Sequence, residues 1–275
     1  MKKSLIGVVA VLMAGQHAFA ADVYQPAPAA FEAAPEIQVQ EASGWYLRGD
    51  VGYSFNKARS FEFSRATGGT PALETVHSSS TSMKDSFLVG AGVGYQINNY
   101  LRTDLTFDYM AKSNFRGTGP AAGGGTDDFR TSVRAYSLLA NAYVDLGTYG
   151  RFTPYLGAGI GGAYVKWDNL KLANSCGGAD CEWGGKGDWR FAYALMAGAS
   201  IDVTCNLKAD VGYRFRQIGS GEMFGIGSGG NSGNGRSKGI TSHEVRVGGR
   251  YVFNGCDTAQ YMPPADIPLQ PAVYK

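Results

Sequence analysis

The sequence predicts an all-β chain: an eight-stranded antiparallel up-and-down transmembrane β-barrel with short periplasmic turns and long extracellular loops. Three observations predict it. Apolar and polar residues alternate in eight segments between Gly44 and Phe253, the links between those segments alternate short and long, and 40 glycines, 16 tyrosines and 14 phenylalanines accompany a charged fraction of 17%. A period of two gives a strand two unlike faces, whereas helices need Leu, Glu and Lys, which are sparse here. A meander puts successive links at opposite ends, so alternating lengths place all short links at one end and all long ones at the other.

The ends read differently from the middle. Lys2 and Lys3, an apolar run from Leu5 to Gly15, and Ala18-Phe19-Ala20 before Ala21 form the pattern of a secretory signal peptide over residues 1–20, with cleavage between Ala20 and Ala21. Residues 21–43 are an Ala/Pro-rich linker, 44–253 the barrel, and 254–275 a Pro-rich tail. Linker and tail are expected on the periplasmic side of an even-stranded barrel. Loss of the leader removes two lysines and no acid, which leaves the 23 acidic residues balanced. That balance excludes a global electrostatic partner such as nucleic acid. No later apolar run has the length of a membrane helix.

The strands follow in order. In the first, Trp45, Leu47, Val51, Tyr53 and Phe55 oppose Arg48, Asp50 and Gly52. The second runs from Phe87 to Ile97. In the third, Leu101, Leu105, Phe107 and Tyr109 oppose Arg102, Asp104, Thr106 and Asp108. The fourth runs from Arg130 to Leu146. The fifth, from Phe152 to Trp167, holds Pro154 and several glycines, and its facing is open. The sixth runs from Trp189 to Val203. In the seventh, Leu207, Ala209, Val211, Tyr213 and Phe215 oppose Lys208, Asp210, Gly212, Arg214 and Arg216. The eighth sets Val245, Val247, Tyr251 and Phe253 against Glu244, Arg246, Gly248 and Arg250. Short links fall at Asn98-Asn99, Gly147 to Arg151 and Thr204 to Asn206, and long ones at about 56–85, 113–129, 168–188 and 218–240.

Alternation alone does not say which face is outside. The polar face is rich in glycine, which suits a cramped interior better than a solvated exterior, and eight strands enclose little more than side-chain room. The lumen is therefore expected to hold Arg48, Asp50, Arg102, Asp104, Asp108, Lys208, Asp210, Arg214, Arg216, Glu244, Arg246 and Arg250, with Arg134, Asp145 and Asp202. Acids and bases nearly balance, as a buried ion-pair network requires. On the apolar face, Trp45, Tyr95, Phe152, Tyr251 and Phe253 mark one interfacial girdle, and Phe55, Tyr109, Phe191 and Phe215 the other.

The run Arg246-Val-Gly248-Gly-Arg-Tyr251-Val-Phe253 resembles the terminal-strand signal recognised by barrel-assembly machinery, with Gly248, Tyr251 and Phe253 as its elements. Such signals usually end a chain, and here further residues follow. The segments Gly44-Trp-Tyr-Leu-Arg-Gly-Asp-Val-Gly-Tyr53, Pro154-Tyr-Leu-Gly-Ala-Gly-Ile-Gly161 and Ala209-Asp-Val-Gly-Tyr-Arg-Phe215 resemble those of small outer-membrane immunogenic proteins and opacity-like surface antigens. That resemblance implies a porin-family eight-stranded barrel with exposed variable loops. It leaves the molecular activity open, since fold does not fix function.

Four cysteines in an exported chain point to disulfides. They lack CxxC spacing and neighbouring histidines, so zinc is not expected. On the expected topology Cys176 and Cys181 share the third external loop, while Cys205 and Cys256 sit at the periplasmic ends of neighbouring strands. The expected bridges are Cys176 with Cys181 and Cys205 with Cys256.

The function expected is that of a non-enzymatic surface protein in the cell outer membrane, with a structural, adhesion or antigen role carried by its loops. The Gly/Ser/Asn-rich fourth loop suggests mobility. A narrow passive pore is the alternative, opposed by the charge-filled lumen. A hydrolase or haem-binding role is third: Ser242, His243 and Glu244 are adjacent, but neighbours on a strand point to opposite faces and cannot form one triad. His77 and the Asp127-Asp128 pair have no evident partners. No cofactor is expected. Expected partners are outer-membrane lipid and lipopolysaccharide, barrel-assembly machinery during biogenesis, and host-surface or cell-wall contacts.

Overall fold

A computed structural model describes residues 44–66, 73–121, 124–176, 179–227 and 234–256. The leader with its Ala20/Ala21 site, the linker, the tail beyond Cys256, the fourth-loop run 228–233 and the side chains of Cys176 and Cys181 lie outside the described residues.

The described chain forms β1 (Gly44–Ala58), β2 (Phe61–Ala66), β3 (Leu73–His77), β4 (Ser80–Met83), β5 (Ser86–Gln96), β6 (Leu101–Pro120), β7 (Thr126–Asp145), β8 (Phe152–Trp167), β9 (Leu170–Cys176), β10 (Ala179–Gly185), β11 (Gly187–Asp202), β12 (Leu207–Ile218), β13 (Gly221–Gly227), β14 (Gly235–Ser237) and β15 (Ile240–Val252). Eight of them close a ring in the order β1-β5-β6-β7-β8-β11-β12-β15, every neighbour antiparallel. These are the eight alternating segments of the sequence. The seam between first and last pairs Tyr46 with Val252 through Ala58 with Ile240, so the ring leaves no open edge.

Apolar side chains of the ring strands point outward. Trp45, Leu47, Val51, Phe87, Leu105, Phe107, Leu156, Phe191, Leu195, Val245 and Val247 are exposed, Ile160 by 62%. A continuous apolar belt of this kind is not a surface for water and fits the lipid-facing wall of a transmembrane barrel. The fifth segment, now β8, turns Tyr155, Gly157, Gly159 and Gly161 inward and Leu156, Ala158 and Ile160 outward. Its facing was silent in the sequence because glycine carries no polarity.

The inward glycines make room. A Cβ on Gly94 would meet the Tyr46 ring, and one on Gly248 the Asp50 carboxylate. Gly94→Val is therefore expected to cost about 1–3 kcal/mol by overpacking. Gly249→Val, where nothing lies within 4 Å, is expected to cost little. Urea unfolding of the refolded barrels in micelles compares the two, and equal midpoints would remove the interior-space argument.

The long connections depart from expectation. Rather than mobile loops, their described parts continue the sheet beyond the ring. β6 and β7 run on as a long hairpin, with Ser113↔Val133 through Pro120↔Thr126. The strands β9, β10, β13, β14, β2 and β3 follow in hydrogen-bonded order from β7, while β4 pairs with β6.

Here the facing inverts. Phe61, Phe115, Phe129, Trp167, Leu170 and Phe224 are buried inside this extension, and Phe61 packs edge-on to Phe129 at 5.4 Å and to Phe115 at 5.7 Å. On β6 a bulge at Ala111-Lys112 performs the inversion: even positions from Arg102 to Met110 face inward, and odd positions from Ser113 to Gly119 do so after it. On β7 the phase never changes. Its inward side chains pass from Asn141, Tyr143 and Asp145 to Val133 and Phe129, and its outward ones from Leu138 and Val144 to Arg130 and Arg134. Arg134 was expected in the lumen with Asp145. The two lie an odd number of positions apart on one unbroken strand, so they must face oppositely, and Arg134 points out to Asp168.

Candidate functional site

Within the ring, the inward charges come from strands far apart in the sequence. Asp108 on β6 accepts from Arg214 on β12 at 2.7 Å and from Arg246 on β15 at 2.6 Å. Arg214 also reaches Glu244 at 2.6 Å, and Glu244 pairs with Arg216 at 2.8 Å. Arg246 approaches Asp50 at 3.6 Å, Asp50 holds Arg48 at 2.8 Å, and Arg48 reaches Asp104 at 2.9 Å. These contacts make one unbroken chain from Arg216 to Asp104. Because β6 and β12 stand opposite each other in the ring, the Asp108–Arg214 pair crosses the lumen. Arg216 crosses too, donating to the Ser137 hydroxyl on β7 at 2.9 Å.

Towards the short-turn end, Arg102 pairs with Asp145 at 3.0 Å and lies over the Tyr143 and Tyr155 rings, 4.3 and 4.6 Å from their centroids. Arg250 pairs with Asp210 at 3.1 Å, and the Ser200 hydroxyl donates to the same carboxylate. Lys208 is different: it is partly exposed at the mouth, paired with a similarly exposed Asp202 at 2.5 Å. Among these side chains a cavity of about 20 Å³ remains, lined by Arg48, Asp50, Tyr143, Tyr155 and Asp210. That is room for roughly one water.

The buried Arg190 escaped sequence reading. It bonds Asp188 at 2.8 Å and donates to the Glu222 carbonyl, above the charged block. Even spacing from Ala192 and Ala194 on the inward face of β11 would have pointed to it.

The strand-eight residues sit at the closing seam. Gly248 lies opposite Asp50 on β1 and Asp210 on β12, and Tyr251 opposite Leu47 and Leu207, its ring 5.4 Å from that of Phe253. The Phe253 amide donates to the Trp45 carbonyl at 2.9 Å. Just beyond, Cys256 is bridged to Cys205 in the β11–β12 turn, with Cα atoms 4.9 Å apart. The bridge ties the end of the last strand to its neighbour.

The other candidates do not converge. Ser242 and Glu244 point inward, to Asn56 and to the arginines, whereas His243 points outward to the Tyr213 hydroxyl at 2.6 Å. His77 contacts Glu62 at 3.1 Å on the extension. Asp127 and Asp128 lie at the far end of the β6–β7 hairpin, opposite Gly119 and Thr118. Among the described residues no cluster of three His, Cys, Asp or Glu is placed to hold a metal.

A charged group on the outer wall centres on Asp168. Asp168 accepts from Lys112 at 2.5 Å and Arg134 at 3.0 Å, and these hydrogen bonds, that of Lys112 first, hold its carboxyl below the usual carboxylate range.

Comparison with known proteins agrees with this geometry. Residues 6–253 match the family model described as outer membrane protein beta-barrel domain. An uncharacterised Brucella abortus protein is 36% identical over 269 residues, covering 86% of this chain and 93% of its own. A Rickettsia conorii protein, named as a candidate adhesin, is 31% identical over 178 residues, covering 64% of this chain and 68% of its own. Among solved structures, Neisserial surface protein A is similar at 21% identity with a TM-score of 0.41, covering 78% of this chain and 100% of that one. OprG from Pseudomonas aeruginosa is similar at 14% identity with a TM-score of 0.48, covering 77% and 97%.

Proposed function

The chain belongs to the outer membrane protein β-barrel family, and from that membership we propose that it is a non-enzymatic surface protein acting through the β-extension outside the membrane, with an adhesion role. Its place is the cell outer membrane, in a lipid setting. One observation carries the proposal: the described parts of the long connections build a sheet around an apolar core, whereas the lumen below is crossed by ion pairs. A folded extension presents a fixed surface, and recognition gains from surfaces that need no ordering on contact. The candidate-adhesin name of the Rickettsia relative supports the same reading.

In this reading the charged block serves as a plug and not as a channel, since a water path would have to pass Asp108, Arg214 and Arg216. Gly248, Tyr251 and Phe253 act as the assembly signal, and residues 1–20 as a leader cleaved after Ala20.

Cells displaying the intact protein are expected to adhere to host-cell monolayers more than cells displaying a barrel in which β9–β10 and β13–β14 are replaced by short Gly/Ser links. Equal adherence with equal surface display would remove adhesion from the reading. Stable, sized conductance of the intact protein in planar bilayers would replace the plug by a pore.

A further inference from the structure

We infer that the outer wall of β6, β7 and β8 carries a binding site for the phosphate of a glycolipid headgroup in the outer leaflet, held by Lys112, Arg134 and Lys166. Arg134 and Lys166 are direct cross-strand partners on the outward face of β7 and β8. Lys112 occupies the bulge of β6 beside them. Without that extra residue the strand's alternation would turn it into the barrel, and with it Lys112 faces outward and shares Asp168 with Arg134. Two of the three cations thus meet one carboxylate. Asp168 satisfies two of them in part, while Lys166 is exposed and has no carboxylate partner among the described residues.

The position is as informative as the charge. One step towards the lipid on the same face lies a second cross-strand line, Tyr109↔Tyr136↔Tyr164↔Trp189. Tyr109 and Tyr136 have centroids 5.1 Å apart, and Tyr164 and Trp189 5.6 Å. Aromatic rings settle at the boundary between acyl chains and headgroups, and cations just beyond them meet the headgroup charge. A phosphorylated glycolipid offers the matching order: acyl chains, sugar, then phosphate. On the opposite wall this level carries the neutral pair Gln217 and Thr241, bonded at 2.7 Å, with Lys57 across from Thr241. The bulge on β6 therefore serves two ends, turning Phe115 into the core of the extension and Lys112 out to the leaflet.

The test uses the full barrel in phosphatidylcholine nanodiscs, titrated with fluorescent bisphosphorylated lipid A or its dephosphorylated form and read by energy transfer from the protein's tryptophans. The variant K112Q/R134Q/K166Q is expected to bind phosphorylated lipid A at least about tenfold more weakly than the natural chain. Lys57→Gln is expected to bind it unchanged, and dephosphorylated lipid A to bind the natural chain as weakly as the triple variant binds the phosphorylated form. Heat-modifiable migration on gels checks folding. Should the triple variant fail to fold, Lys166→Glu, which leaves Asp168 and its partners in place, is expected to lower the affinity several-fold. Equal affinity of the folded variant and the natural chain, or equal binding of the two lipids, would overturn the inference.

Discussion

Asp108→Leu is expected to destabilise the barrel by about 3–5 kcal/mol, because it leaves buried charge without its partner. Asp108 is fully buried and holds two arginines at once, at 2.7 and 2.6 Å. After the substitution Arg214 keeps Glu244, but Arg246 keeps only Asp50 at 3.6 Å. The cavity of about 20 Å³ that Arg246 lines has room for roughly one water, too little to solvate a stranded guanidinium. The measurement is urea unfolding of the refolded barrel in micelles, with the loss of heat-modifiable migration as a second reading. If the cost is that of stranded charge and not of lost volume, Arg246→Met added to Asp108→Leu should recover a large part of it, a non-additivity that a double-mutant cycle isolates. Strictly additive losses would mean that the ion pair is incidental and that Asp108 matters only for its shape. The same pair ties β6 to β12 across the lumen, so its loss should also lower the cooperativity with which the two halves of the ring unfold.

The ring was legible in the sequence because lipid demands a strict pattern. Leu105, Phe107 and Tyr109 face out while Asp104, Thr106 and Asp108 face in, and nothing else in the chain has to agree for that alternation to be seen. The extension was hidden by the same rule. Phe115, Phe129 and Trp167 alternate too, but alternation does not say which side is in, and above the membrane the apolar side turns inward. Neither β14 with β2 nor β13 with β10 is joined locally, so a Gly/Ser-rich stretch read as mobile gave no sign of a partner elsewhere. Charge alone points Arg134 inward, whereas the parity it shares with Leu138 and Val144 turns it out. The cation row was invisible for a further reason: Lys112, Arg134 and Lys166 belong to three strands, and only the register unites them.

The second large effect is expected in the extension. Trp167→Ala should remove about 3–5 kcal/mol of packing from it while leaving the barrel below intact. Trp167 is 1% exposed and meets Phe115 edge-on at 5.4 Å, and its amide donates to the Lys186 carbonyl at 2.9 Å where the β9–β10 hairpin returns to the wall. The ionic block lies further down, centred on Asp108 and Glu244, so heat-modifiable migration should persist. What should change is local opening. Proteolysis of external segments on intact cells follows the population of the opened state, and a loss of this size should raise the cleavage rate by about a hundredfold or more. Unchanged cleavage would mean that the extension has no cooperative core of its own. If cleavage rises with the barrel intact, the variant separates the two halves of the molecule. Adherence lost in Trp167→Ala but kept in Gly249→Val would then assign recognition to the folded extension, since both proteins carry the same ring in the same membrane.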